Sequence, residues 1–392
     1  MANTFSVTSS QSWFSRLFES IKSVLVGLLL FVVSFPLLFW NESRAVKVAR
    51  SLSEGAGAVV GVATDRVDPA NEGKLVHTSG AVTTEGPVED PDLGVQAQAV
   101  KLLRKVEMYQ WKQKEKSETR SKLGGGTETV KTYSYEKAWL PEVVDSSEFR
   151  QSGGHENPGS MPISSTTTVA DPVRLGAFKL SSEQLDQLTE TQPLRVDQPP
   201  ANPISDDTRG ELRLVDGGYY LGADPKAPQV GDVRIHFEVV NPTTVSTVGV
   251  QSGDSFIAYQ AKAGGTVLLV SAGARSAAEM FKAAQDANKT LTWLLRAAGW
   301  FLMFIGLLLV FKPIAVFGDV VPLFGRMLGA GLGLFSFLLA TVLSLVTIAI
   351  AWVAVRPLLG IGLLVLAGGA LTVLIARGRK AQAVVPASVP GS

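Results

Sequence analysis

The chain has 392 residues with 36 Lys and Arg against 35 Asp and Glu, a balance that leaves no net field to draw nucleic acid or an acidic polymer. Cysteine is absent, which excludes disulfides, thiolate catalysis and Cys-based zinc sites. Hydrophobic residues make up 46% and charged residues only 18%, and the deficit of charge is concentrated in a few long apolar blocks.

In the N-terminal segment 1–23, Trp13, Phe14, Leu17, Phe18 and Ile21 recur at helical spacing with Arg16, Glu19 and Lys22 between them. The pattern predicts an amphipathic interfacial helix on the cytoplasmic side, or an extension of the apolar block behind it. That block, Val24 to Trp40, carries no charge over seventeen residues, close to the ~20 a helix needs to cross a ~30 Å hydrocarbon core. Asn41, Glu42 and Arg44 end it sharply, and the small residues Ser43 and Ala45 leave a cleaved signal peptide as the competing reading.

Residues 41–290 are polar and predict a β-rich α+β domain. In Val233 to Val239, Val233, Ile235, Phe237 and Val239 alternate with Arg234, His236 and Glu238, the pattern of a half-buried strand. Strands over 100–111 and 129–139 form a long hairpin with Gly124, Gly125 and Gly126 in its connection, and 266–270 is a further buried strand. Ser181 with Gln184, and Ser276 with Glu279, have capping-box spacing ahead of two helices. Residues 146–172 and 192–207, rich in Ser, Thr, Gly and Pro, are expected to be irregular.

Three further spans are expected, over 297–316, 327–353 and 358–376. Gly318, Asp319 and Pro322 make the first turn between them, and Arg356 with Pro357 makes the second. Four spans place both termini on one side; Arg377, Arg379 and Lys380 in the tail 377–392 argue for the cytoplasm there and for the domain in the periplasm or a lumen, while Arg44, Lys47 and Arg50 beyond the first span offset Arg16 and Lys22 before it, so charge alone is not decisive. No Asp, Glu or His lies inside an apolar core, which disfavours a secondary transporter. Gly325, Gly329 and Gly333 fall four apart, a small-residue ridge for close helix packing within one chain or between two.

The search for chemistry finds little. Gly73 and Lys74 do not make a phosphate loop, because Asp68 stands in place of the first glycine and Leu75 in place of the hydroxyl. Gly55, Gly57 and Gly61 miss dinucleotide spacing, and a tight helix or turn is expected there. His77, His155 and His236 are isolated from other ligands, so each is expected to be structural, with a site assembled from all three in space as the alternative. Glu89, Asp90 and Asp92 lack EF-hand spacing and are expected to form a solvated acidic turn rather than a calcium loop. The expectation is no catalytic residue, no metal and no cofactor: not an enzyme.

Several short strings resemble the transmembrane protein 43 family, also called LUMA: NESRAVK from Asn41, PANEGKLVH from Pro69, DPDLGV from Asp90, VEMYQW from Val106, GHENP from Gly154, VGDVR from Val230, LRAAGW from Leu295 and RPL from Arg356. The resemblance runs from about Trp13 to Arg379. It implies four spans and a domain in the endoplasmic reticulum lumen and perinuclear space, with animal members acting as self-associating scaffolds of the inner nuclear membrane that contact lamins and emerin. It brings no catalytic residues. Bacterial relatives would place the domain in the periplasm and the protein in the cell inner membrane, without lamins or emerin. The function expected is a non-enzymatic scaffold, homo-oligomeric and in contact with lipid and other membrane proteins. A channel or transporter made by the C-terminal spans is the alternative, and a membrane-tethered hydrolase near the histidines a weaker one.

Overall fold

A computed structural model of the chain describes residues 4–202, 204–206, 210–241 and 243–355. Its described residues divide into two compact units, one within 4–11, 50–121 and 127–286 and one within 12–49, 122–126 and 287–355. The first is the β-rich domain. Its principal strands are β1 (Thr4–Gln11), β2 (Leu75–Thr84), β3 (Lys101–Ser121), β4 (Thr127–Leu140), β5 (Val233–Val240) and β6 (Thr244–Ser252).

An eight-stranded sheet runs in the order β1, β4, β3, β5, then Gly218–Leu221 and Arg213–Val215, with Gln192–Leu194 pairing β5 and Thr166–Val169 pairing β3. The alternation read over 233–239 is realised: Val233, Ile235 and Phe237 are buried while Arg234 and His236 are exposed. These three join Val106, Met108, Leu102, Leu221 and Tyr219 in one core. The expected hairpin is present and longer than expected, because β3 continues ten residues past Trp111 into a wholly polar stretch. That stretch carries no apolar signal, so periodicity could not extend the strand through it.

A second, seven-stranded sheet closes on itself. It runs from β2 through Val173–Leu175, Phe178–Lys179 and Ser255–Ile257 to β6, and β6 pairs back to β2. The resulting small barrel is filled by Val76, Leu175, Phe178, Val245 and Phe256, with Phe178 and Phe256 stacked at 4.9 Å. The strand expected over 266–270 is two pieces, Thr266–Val267 and Leu269–Ala272, interrupted at Leu268. Both capping boxes form. Ser181 caps the short helix Ser182–Asp186 reciprocally with Gln184, and the Ser276 backbone donates to Glu279 at 2.8 Å while Glu279 donates back at 3.3 Å. Thr4–Gln11, in which no strand was legible, pairs with β4 along its whole length.

The second unit is built on three helices long and apolar enough to cross a membrane, which are α1 (Trp13–Ala58), α2 (Ala277–Gly318) and α3 (Pro322–Val355). The fourth expected span, 358–376, and the tail lie outside the described residues. The polar string after Trp40 was expected to end the first helix; instead α1 runs unbroken through Asn41, Glu42 and Arg44, because these side chains find partners on neighbouring helices. Leu38, Met303, Leu307 and Ala340 form the bundle's buried core, with Phe31, Phe35, Trp300 and Phe304 against it. Many large apolar side chains, Leu25, Leu29, Phe324 and Leu345 among them, remain exposed, as lipid-facing positions do.

Candidate functional site

Where α1 leaves its apolar stretch, it brings Asn41 and Glu42 into the helix bundle at 0% and 2% exposure. A carboxylate this buried demands full compensation. Arg296 of α2 supplies it with two parallel bonds, Nε to Oε1 at 2.6 Å and Nη2 to Oε2 at 2.8 Å. Trp352 of α3 adds a third, its indole N–H donating to Oε2 at 2.7 Å. The guanidinium also lies over the rings of Trp293 at 4.7 Å and Trp352 at 5.7 Å. One carboxylate thus ties three helices through charge-assisted bonds, the strongest kind that side chains make.

One turn along α1, a second polar group forms. Asn41 donates to the Thr292 carbonyl at 3.0 Å, and Asn288 donates to the Ala45 carbonyl at 3.0 Å. Arg44 donates to the side-chain oxygens of Asn288 at 3.0 Å and Thr292 at 3.1 Å, and its buried Nε has no partner among the described residues. At this height α1 and α2 are held by amides, a hydroxyl and a guanidinium. Further along, Trp300 donates to Thr341 at 3.1 Å, joining α2 to α3.

Among the described residues a close helix approach joins α1 and α2. A Cβ on Gly306 would lie 2.7 Å from the Phe31 nitrogen, and one on Gly27 would lie 2.7 Å from the Gly306 carbonyl, so α1 and α2 touch backbone to backbone. Among the described residues nothing lies within 4 Å of such an atom at Gly329 or Gly333, and Gly325 packs on Asp319 in the turn before α3. At that same end Arg16 pairs with Asp319 and donates to the Gly125 carbonyl, and the Trp13 indole donates to the Val316 carbonyl at 2.9 Å.

The histidines are not brought together. His77 bonds the Arg275 carbonyl at 2.9 Å, His236 is exposed on β5, and His155 is buried, stacked on Tyr135 at 4.0 Å with Trp111 edge-on at 4.7 Å. Among the described residues no three His, Asp or Glu side chains gather as metal ligands do. Of the expected acidic turn, Asp90 is corrected: it is 1% exposed and receives Arg104, itself 2% exposed, at 2.7 Å, while Asp92 takes the other guanidinium nitrogen from the surface. Arg104 was missed by the sequence reading, although a lone arginine among the apolar residues of a strand is a usable signal. Gly55 and Gly57 lie in the last turns of α1, as expected of a tight helix, whereas Gly61 is in the short strand Val60–Gly61 that pairs in parallel with β2.

A family model described as Transmembrane protein 43 matches residues 108–357, more than half of the chain. The chain is 38% identical over 385 residues to human Transmembrane protein 43, covering 95% of this chain and 94% of that one. To the rat Transmembrane protein 43 it is 39% identical over 357 residues, 88% of this chain and 87% of the relative. To the Drosophila melanogaster Transmembrane protein 43 homolog it is 34% identical over 351 residues, 87% and 90% of the two chains. No solved structure matches the chain.

Proposed function

The chain belongs to the transmembrane protein 43 family, and we propose that this multi-pass membrane protein is a non-enzymatic scaffold, anchored by a locked helix bundle and self-associating through its β-rich domain. The observation that carries the reading is the chemistry of Glu42. Oε1 is engaged by Arg296 and Oε2 by both Arg296 and Trp352, so this buried acid is held as the acceptor of an ion pair that ties three helices. A carboxylate held by a bidentate guanidinium is a brace, not a base. The polar groups nearby, Asn41, Arg44, Asn288 and Thr292, are likewise engaged with one another across α1 and α2.

A second copy of the chain is the partner that every cellular setting provides. Lamins and emerin belong to the reading only where a nuclear envelope exists. Amine-reactive crosslinking in native membranes, followed by mass determination of the full chain in mild detergent, tests the proposal. Discrete species above the monomer are expected; a monomer as the sole species in both measurements would remove self-association. A turnover found with any ester, amide or phosphoester probe, abolished by substitution at Glu42 without loss of folding, would remove the non-enzymatic reading.

A further inference from the structure

The cations of the three long helices fall into two groups. Arg16 is paired with Asp319, Arg44 bonds Asn288 and Thr292, Lys282 faces Asp286 at 3.9 Å and Arg296 is held by Glu42. Lys47, Arg50 and Lys289 have partners too. Lys22, Lys312 and Arg326 have none among the described residues, and all three are exposed. They stand one on each helix, α1, α2 and α3, toward the end where Arg16 meets Asp319. Each is also the charge that borders the uncharged stretch of its helix: residues 23–41 follow Lys22, 297–311 precede Lys312 and 327–355 follow Arg326.

Their heights agree. Lys22 lies six residues from Arg16, about 9 Å along α1, and Lys312 lies seven residues before Asp319, about 10 Å along α2. Ser23 donates to the Leu309 carbonyl at 3.3 Å, which sets the two lysines within one helical turn of each other in height. Arg326 sits in the second turn of α3. The neighbours along each helix are exposed and apolar: Ile21 and Leu25 by Lys22, Ile314 by Lys312, Phe324 and Met327 by Arg326. A charge in such surroundings stands at the border of the lipid, where a long side chain lays its stem on apolar groups and carries its head to the phosphates. The acids of this end are committed, Asp319 to Arg16 and Glu19 to a partner of its own, so the protein supplies no counter-charge.

We propose that Lys22, Lys312 and Arg326 form a belt that binds anionic phospholipid headgroups in the leaflet at the α2–α3 turn. Lipid is the occupant because the belt lies within the apolar, lipid-facing surface of a membrane-embedded bundle. The class is anionic because a zwitterionic headgroup already carries a cation for its phosphate, whereas an anionic one brings net charge to three cations that lack any. Basic residues beside a membrane favour anionic lipid by about fivefold each. At the opposite end Arg44 and Arg296 are spent inside the bundle, so the preference belongs to one leaflet. The belt does not depend on self-association.

The full chain, purified in mild detergent, is titrated with dioleoyl phosphatidylglycerol and separately with dioleoyl phosphatidylcholine, and bound lipid is counted by native mass spectrometry. Phosphatidylglycerol is expected to bind more tightly, by about fivefold for each cation that takes part. The triple variant Lys22→Gln, Lys312→Gln, Arg326→Gln should bind the two lipids alike with an unchanged thermal midpoint, since none of the three side chains has a partner to lose. The charge-keeping variant Lys22→Arg, Lys312→Arg, Arg326→Lys should retain the preference. So should Lys105→Gln with Lys226→Gln, two exposed cations of the β-rich domain. Equal binding of the two lipids by the unaltered chain would overturn the proposal. So would a triple variant that keeps the preference, or a loss as large in the Lys105 and Lys226 pair. Competition by soluble glycerol phosphate as strong as by the lipid would mean a phosphate site rather than a lipid surface, and would overturn it too. If the triple variant fails to fold, the three single glutamine variants replace it: each should lower the preference about fivefold, and no change in any of them would remove the belt.

Discussion

A single buried carboxylate, Glu42, holds the helix bundle, and its consequences are measurable. Glu42→Gln keeps the shape but removes the charge that Arg296 is paired with, leaving a guanidinium at an apolar helix end. Breaking a buried pair from one side costs about 3 kcal/mol or more. The thermal midpoint in detergent should fall for Glu42→Gln and for Arg296→Met, and the double substitution should fall by less than the sum; additive losses would mean the pair is uncoupled. Tyr220 tests the domain in the same way. It donates to Asp232 at 2.6 Å, and burial together with that neighbouring carboxylate raises its pKa above the ordinary value. A raised pKa favours the folded state below pH ~10, where both states hold the proton, and the advantage is lost as alkali ionises the unfolded chain first. Tyr220→Phe should therefore flatten the decline of stability above pH ~10 and cost about 1–3 kcal/mol at neutral pH, since Asp232 loses a partner in a buried position. Denaturant melts at several pH values decide it. The strings that carried the family resemblance contain three of these residues: Glu42 lies in NESRAVK, Arg296 in LRAAGW and Asp232 in VGDVR. They could be read as unusual, but not as partners, because a string holds no information on what lies opposite it.

For helices, regular spacing on one helix made Gly325, Gly329 and Gly333 legible, whereas among the described residues α1 and α2 approach backbone to backbone through one glycine from each, Gly27 and Gly306, which no spacing could pair. Gly306→Leu should destabilise the bundle by about 1–3 kcal/mol through overpacking. Gly329→Leu, with none of the described residues within 4 Å of its side-chain position, should leave folding within about 0.5 kcal/mol, although it would weaken any contact between copies made on that ridge. Thermal melts of the two variants, compared with crosslinking of the second, separate the two roles. For strands, β5 was legible to within a residue because one face is buried, while β1 and the distal half of β3 were invisible. The distal half of β3 is wholly exposed, and in β1 only Phe5 and Val7 are half-buried, so the period-two pattern that burial writes into a sequence is absent or too short to read.

For the molecule as a whole, the division into apolar helices and a β-rich domain predicts a graded stability. Native-state amide exchange should be slowest in β6, whose Val245 to Val250 backbone lies between β2 and other strands of the closed barrel, and fastest in the distal hairpin from Lys114 to Ser121. Equal protection along β3 in a protein proven monomeric would contradict that gradient. What the amino-acid sequence by itself determined is the partition of solvent. Long uncharged blocks can only be helices in lipid, since every backbone group must be satisfied within the segment, and alternating segments can only be half-buried strands. What only the tertiary structure decided is which polar groups meet. Glu42 and Arg296, or Asp232 and Tyr220, are far enough apart in sequence or different enough in setting that nothing local couples them. The closure of the barrel likewise depends on strand order, a property of long-range pairing rather than of any segment.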